Sequence, residues 1–164
     1  MMISRPLQSL TLALALSLSA GAMASAQDQP AQQPAQEGPT LADLGQDQAL
    51  TAAYDRMAEG HEMPEWVRKA IVVTPAQKVG FGGKEYLVLT GCEQHNCGEN
   101  QIAMLYQPDS GTAHGLLSVS DGKGAELLTW LNIGGGPESI DGRTILFAAL
   151  TGSLANHPQA FNYD

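Results

Sequence analysis

The stretch EYLVLTGCEQHNCGENQIAMLYQ (85–107) joins two strand-like runs through a short polar segment. The runs are EYLVLT (85–90) and QIAMLYQ (101–107), both rich in the β-branched, aromatic and aliphatic residues that suit strands. The segment between them contains both cysteines of the chain, Cys92 and Cys97. This pattern predicts an antiparallel hairpin whose tip lies outside the core.

Further short apolar runs flank this hairpin on both sides. They are IVV (71–73), HGLLSVS (114–120) and AELLTWLNI (125–133), and the segments GFGGK, PDSGT and DGKG separate successive runs. Short runs divided by glycine-rich turns are typical of antiparallel meanders. The sequence therefore predicts a central antiparallel sheet of about five strands.

Helical spacing appears before and after the strand region. Thr40 can cap a helix whose apolar residues recur to Met57, and Gly60 suits its end. Further helices are predicted over 64–70, where Pro64 suits a first turn, and over 143–154. We therefore expect an α+β domain with helices packed on one face of the sheet and a protruding disulfide-clipped loop.

The N-terminus has the features of a secretory signal peptide. An apolar stretch over 7–23 precedes Ala24-Ser25-Ala26, which predicts a signal at 1–26, and its core is shorter than the roughly 20 residues of a spanning helix. We expect export without membrane insertion once the signal is removed. Gln, Pro and Ala dominate 27–39, which predicts a flexible leader before a domain at 40–164.

Charge narrows the class of partner. Removing Arg5 with the signal leaves seven Lys and Arg against seventeen Asp and Glu, a formal net charge of −10. This argues against nucleic acid, because the phosphate backbone requires a basic face. The acidity serves either solubility alone or long-range attraction to a cationic partner.

Catalytic and cofactor motifs are missing from the sequence. It contains no G-x-S-x-G, H-E-x-x-H or Walker pattern, and the glycines at 80–83 and 134–136 fit turns better than phosphate loops. His61, His114 and His157 are scattered, so we expect surface or capping histidines rather than ligands. No catalytic, cofactor-binding or metal residues are therefore predicted, and an enzyme is unsupported.

Two cysteines in an exported chain favour a disulfide between Cys92 and Cys97. A zinc site that included His95 would need a distant fourth ligand. Closing so short a loop contributes only about 2 kcal/mol, so the bond is better explained by local shape. A rigid polar tip, Glu93 to Asn96, would lose little entropy on binding a partner, while a plain stapled turn remains the alternative.

The cysteine loop, CEQHNC followed by Gly98, resembles the signature loop of the Ivy family, usually written C-K-P-H-D-C. This family comprises periplasmic inhibitors of vertebrate C-type lysozyme. The resemblance runs from about Leu41 to the C-terminus, through PEWV (64–67), TPAQ (74–77), LTWLN (128–132), SIDG (139–142), LFAALTGSLANHP (146–158) and FNY (161–163).

The resemblance implies a periplasmic inhibitor rather than an enzyme, commonly a homodimer, with C-type lysozyme as its partner. In the family the loop histidine, here His95, enters the lysozyme cleft and hydrogen-bonds both catalytic carboxyl groups. Two other functions stay open. One is regulation of the cell's own lytic transglycosylases, and the other is binding or modification of peptidoglycan.

Three loop residues depart from the family pattern: Glu93, Gln94 and Asn96 stand where it has Lys, Pro and Asp. Gln94 gives up the stiffness of proline, and Asn96 keeps the shape of aspartate without its charge. A carboxylate at Glu93 would be repelled by an anionic cleft, by about 2 kcal/mol at roughly 8 Å and an effective dielectric of about 20. We therefore expect Glu93 to weaken lysozyme binding unless the target offers a cation there.

Overall fold

The computed structural model describes residues 38–163. Its helices and strands are α1 (Gln48–Met57), α2 (Trp66–Lys69), β1 (Ile71–Val73), β2 (Gln77–Phe81), β3 (Lys84–Glu93), β4 (Asn100–Gln107), β5 (Thr112–Ser120), β6 (Glu126–Leu131), α3 (Asp141–Leu150) and α4 (Ser153–Asn156). Short 3-10 turns cover Leu41–Asp43, Pro137–Ser139 and Pro158–Phe161. The predicted signal peptide and all but the last two residues of the predicted leader lie outside the described residues.

The six strands of the described region form one antiparallel sheet in the order β1-β3-β4-β5-β6. β2 also pairs with β3, at the end away from β1. β1 and β2 therefore share one side of the long strand β3, and β6 is the opposite edge. The predicted α+β class and antiparallel meander are confirmed, with β2 as an added strand.

β2 folds back on β3 through a glycine turn. Gly82 and Gly83 both have positive φ, 61° and 69°, a region that glycine adopts without strain. Phe81 and Lys84 pair on either side of this turn. The GFGGK segment, predicted to be a turn between strands, thus contains the end of β2 as well.

Helices cover both faces of the sheet, so the prediction that they pack on one face was wrong. β4 shows why, because its side chains alternate between two cores. On the first face α1 and α2 bury Leu50, Tyr54, Met57, Trp66 and Val67 against Leu89, Ile102, Met104, Tyr106, Leu117 and Leu131. On the second face α3 and α4 bury Ile145, Leu146, Ala148 and Leu154 against Val79, Phe81, Tyr86, Val88, Ala103, Leu105 and Leu116.

The helix predicted from Thr40 to Met57 is interrupted. The Thr40 backbone and hydroxyl both donate to Asp43 Oδ2, at 2.7 and 3.0 Å, which closes a separate 3-10 turn. Gly45 then turns the chain with φ 90°. Asp47 caps α1 by accepting from two backbone N–H groups, so a second N-terminus begins there.

The helix predicted over 143–154 is also divided. α3 ends at Leu150, and Gly152, with φ 76°, separates it from the single turn of α4. None of the helices in the described part of the chain is long and apolar enough to cross a membrane.

Candidate functional site

The loop between β3 and β4 is closed by a disulfide between Cys92 and Cys97, whose Cα atoms lie 4.8 Å apart. Cys92 is still part of β3, opposite Val72 of β1 and Gln101 of β4. The disulfide prediction is confirmed. Because both sulfurs are used in this bond, neither is a thiolate that could ligate zinc.

Backbone hydrogen bonds fix the base of the loop on both sides. Gln94 N–H donates to the Ala70 carbonyl oxygen at 2.9 Å, which ties the loop to the end of α2. Asn96 N–H donates to the Glu93 carbonyl oxygen at 2.9 Å, and Asn100 N–H donates to that of Asn96 at 3.1 Å. The loop is therefore a folded turn, and its backbone is hydrogen-bonded both to itself and to the end of α2.

His95 lies at the apex of this turn. Its φ is 67°, a left-handed conformation that is uncommon for residues other than glycine. The side chain is exposed, and no group within residues 38–163 hydrogen-bonds its ring. Neither ring nitrogen is therefore engaged by the described residues, and a neutral imidazole offers one donor and one acceptor.

Glu93 is directed back toward the base of the loop. Its Oε2 accepts from Asn96 Nδ2 at 2.9 Å and from Asn100 Nδ2 at 2.6 Å. These bonds, first that from Asn96 and then that from Asn100, hold the pKa of the Glu93 carboxyl below its ordinary value, against a smaller opposing effect of desolvation. The carboxylate expected to repel a target is thus engaged within the loop.

The predicted loop residues therefore separate into two pairs. Gln94 and His95 are exposed at the tip, while Glu93 and Asn96 are half-buried and bonded to each other. Asn100 was not among the predicted residues, although it completes the Glu93 contacts. Its only signal in the sequence is an amide at the start of a strand-like run, and sequence alone does not place that amide beside a carboxylate seven positions earlier.

The remaining histidines divide between surface and core. His61 and His157 are exposed, as predicted. His114 is only 8% exposed, so its placement on the surface was wrong. Its Nδ1 lies 2.6 Å from the Asn132 carbonyl oxygen, and its ring packs at a tilt beside Tyr86. His114 is a core residue of β5 with a hydrogen-bond partner.

The glycines at 134–136 surround a carboxylate rather than a phosphate. A Cβ atom added to Gly136 would lie 2.5 Å from Glu138 Oε2, so a larger residue there would displace this carboxylate. Backbone N–H groups, that of Glu138 foremost, lower the pKa of the Glu138 carboxyl against an opposing desolvation. This closed turn confirms the turn interpretation of the segment.

Comparison with known proteins identifies the family of this chain. The family model described as "Inhibitor of vertebrate lysozyme (Ivy)" matches residues 49–130. A protein of Escherichia coli named "Inhibitor of vertebrate lysozyme" is 45% identical over 130 residues, which are 79% of this chain and 82% of that protein. The chain belongs to the Ivy family. The resemblance inferred from the sequence is confirmed.

A second Ivy relative, from Pseudomonas aeruginosa, carries the same name. It is 30% identical over 89 residues, 53% of this chain and 57% of that protein. Both relatives are named for inhibition of an enzyme and not for a reaction of their own. The segment matched by the Ivy family model includes the whole disulfide loop and its two flanking strands.

Proposed function

We propose that this chain inhibits C-type lysozyme by filling its active-site cleft with the disulfide loop, His95 lying between the two catalytic carboxyl groups. The observation that carries the proposal is the exposed imidazole of His95 at the apex of a disulfide-closed loop in an Ivy-family chain. The names of the relatives support lysozyme as the target.

The chemistry of the two partners is complementary. A retaining glycosidase holds its carboxyl groups about 5 to 5.5 Å apart, with one protonated as general acid and the other ionised. The donor nitrogen of a neutral imidazole can bond the carboxylate while the acceptor nitrogen bonds the acid. Occupancy alone then blocks the cleft, and no bond in either protein is broken.

The rigidity of the loop favours this mode of binding. The disulfide, the backbone bonds of Gln94 and Asn96, and the side-chain bonds to Glu93 hold the turn before a target arrives. A preorganised loop loses less conformational entropy on binding than a flexible one. His95 therefore enters the cleft in a conformation already adopted in the free protein.

Location and charge fit the same role. We propose that the signal at 1–26 exports the chain to the periplasm, where an inhibitor would protect peptidoglycan from an incoming lysozyme. The formal net charge of −10 for 27–164 attracts a cationic protein at long range and raises the rate of association more than the affinity. The homodimer implied by the resemblance stays a prediction.

A titration tests the proposal. Purified 27–164, oxidised at Cys92 and Cys97, is added in increasing amounts to a fixed concentration of C-type lysozyme acting on bacterial cell walls. We expect activity to fall to zero near an equimolar ratio, and the inhibitor to remain intact by mass spectrometry. Unchanged activity in a large molar excess of inhibitor would refute the lysozyme assignment.

The same purified protein can be used to test the other two functions, regulation of lytic transglycosylases and binding or modification of peptidoglycan. A lytic transglycosylase presents one catalytic carboxyl, so it would use only one of the two ring nitrogens of His95, and the loss on His95→Ala should be smaller than with lysozyme. Release of soluble fragments from labelled peptidoglycan would indicate an enzyme, and sedimentation with insoluble peptidoglycan would indicate a binding module. We expect neither of these last two results.

A further inference from the structure

We propose that Glu93 is a positioning residue that sets the shape of the inhibitory loop from within and does not contact the target. The inference rests on the proposed function only where inhibition is the readout. Its structural part, the dependence of the loop on the Glu93 carboxylate, can be tested in the free protein.

Glu93 and Asn96 are joined twice. The Asn96 backbone N–H donates to the Glu93 carbonyl oxygen, and the Asn96 side-chain amide donates to Glu93 Oε2, each at 2.9 Å. The residues between them, Gln94 and His95, must then close a tight turn. His95 takes a positive φ of 67° within that turn. The two bonds therefore flank the residue that is proposed to act on the target.

The same carboxylate reaches the next strand. Asn100, the first residue of β4, donates from Nδ2 to Glu93 Oε2 at 2.6 Å, while its own Oδ1 is buried with no hydrogen-bond partner among the described residues. A rotated amide would place this oxygen against a carboxylate. The negative charge of Glu93 thus selects the orientation of Asn100, and bonds to an ionised acceptor are the stronger kind.

The bonds to Glu93 Oε2 direct this carboxylate toward the loop. Two amide groups on the loop side already solvate Glu93 Oε2, and the backbone of Glu93 lies in the sheet opposite Ile71. Glu93→Lys would direct an ammonium group at two N–H donors and leave them without an acceptor. We therefore expect this variant to loosen the loop, although it restores the residue usual in the family.

A double variant that exchanges the donor and the acceptor at Glu93 and Asn96 should restore the shape of the loop. In the double variant Glu93→Lys with Asn96→Asp, the new ammonium donates to the new carboxylate, and Asn100 can rotate its free Oδ1 toward that ammonium. A residue that acted by contacting the target would not be restored by inverting both partners. Glu99→Gln is the matched control, because Glu99 is an exposed carboxylate of the same loop whose side chain makes no hydrogen bond within residues 38–163.

The first experiment follows the side-chain amides of Asn96 and Asn100 by NMR in free 27–164 during acid titration. Glu99 is the other carboxylate of the loop, and the lowered pKa of Glu93 is caused by its bonds from Asn96 and Asn100 and not by a charged side chain. Both amides should shift together with the Glu93 carboxyl carbon, and Glu93→Gln should abolish that shift while Glu99→Gln keeps it. An unchanged titration of both amides in Glu93→Gln would overturn the proposal.

The second experiment measures inhibition of C-type lysozyme. Glu93→Ala and Glu93→Lys should each raise the inhibition constant by about tenfold, through loss of two hydrogen bonds to a charged acceptor. Glu93→Gln and the reversed double variant should recover most of that loss, and Glu99→Gln should stay within about twofold of the wild type. Tighter inhibition by Glu93→Lys alone would overturn the proposal.

The two experiments separate the two claims. If the wild type fails to inhibit lysozyme while the amide titrations depend on Glu93, the proposed function is wrong and the positioning role of Glu93 stands. If the wild type inhibits lysozyme and the amide titrations do not depend on Glu93, the positioning role is wrong and the inhibitor assignment stands.

Discussion

The side-chain amide of Asn100 donates to Glu93 Oε2 at 2.6 Å, so the first residue of β4 holds the last residue of β3 beneath the disulfide loop. The disulfide makes a covalent link from Cys92 of β3 to Cys97, which lies in the loop before β4. The loop is therefore constrained twice. The consequences of the two constraints can be measured separately.

The disulfide should matter more for inhibition than for folding. Replacing Cys92 and Cys97 by serine removes at most about 2 kcal/mol of chain-entropy stabilisation, because the closed loop is short. We expect a clearly higher inhibition constant toward lysozyme with an unchanged far-ultraviolet circular dichroism spectrum. If the loss of inhibition were accompanied by general unfolding, the bond would be a fold-stabilising one instead.

Acid should weaken the Glu93 contacts in a defined direction. The folded pKa of Glu93 lies below its ordinary value of 4.5, so its contribution to stability is fully present above that value and is lost as pH falls through the lowered pKa. The difference in melting temperature between the wild type and Glu93→Gln should therefore be constant at neutral pH and shrink in acid. A melting-temperature difference that grows in acid would contradict the lowered pKa of Glu93.

Packing on both faces of the sheet predicts matched stability losses. Leu50 of α1 and Leu146 of α3 are fully buried on opposite faces, while Phe147, next to Leu146, is 48% exposed. Leu50→Ala and Leu146→Ala should each lower the free energy of unfolding by about 2 to 5 kcal/mol, and Phe147→Ala by much less. Urea denaturation checks this. A negligible loss for Leu146→Ala would contradict a core beneath α3.

Salt should slow binding to lysozyme. The acidic chain should attract a cationic partner over a distance set by the Debye length, which is about 8 Å at physiological ionic strength and longer at low salt. We expect the association rate constant, measured by stopped flow or surface plasmon resonance, to fall steeply with added sodium chloride while the dissociation rate changes little. An association rate that is independent of salt would leave solubility as the role of the acidity.

The hairpin at the centre of the fold could be predicted because its strands and loop differ sharply in polarity. Burial on both faces was missed, although QIAMLYQ is apolar at successive positions, a pattern typical of strands covered on two sides. β2 was missed because Gly80 and the turn glycines mask a short run. His114 was misplaced because its partner is the backbone of Asn132, far along the chain.

The site was predictable to a similar extent. Cysteine spacing was enough for the disulfide, and the role of His95 inferred from the loop motif stays a prediction. The direction of the Glu93 side chain was not predictable, because it depends on two amides whose positions only the folded turn defines. Whether the Glu93 carboxylate also meets the target stays a prediction.

The role of His95 is tested most directly by the inhibition constant of His95→Ala toward C-type lysozyme, measured beside the wild type and His61→Ala. His61 is also an exposed histidine, but it lies outside the loop. Loss of the imidazole leaves two carboxyl groups of the target without partners, and bonds to charged groups contribute about 1.5 to 3 kcal/mol each. We expect His95→Ala to bind at least about tenfold more weakly, with an unchanged melting temperature, and His61→Ala to match the wild type. Equal inhibition by His95→Ala and the wild type would contradict the insertion of His95 between the catalytic carboxyls.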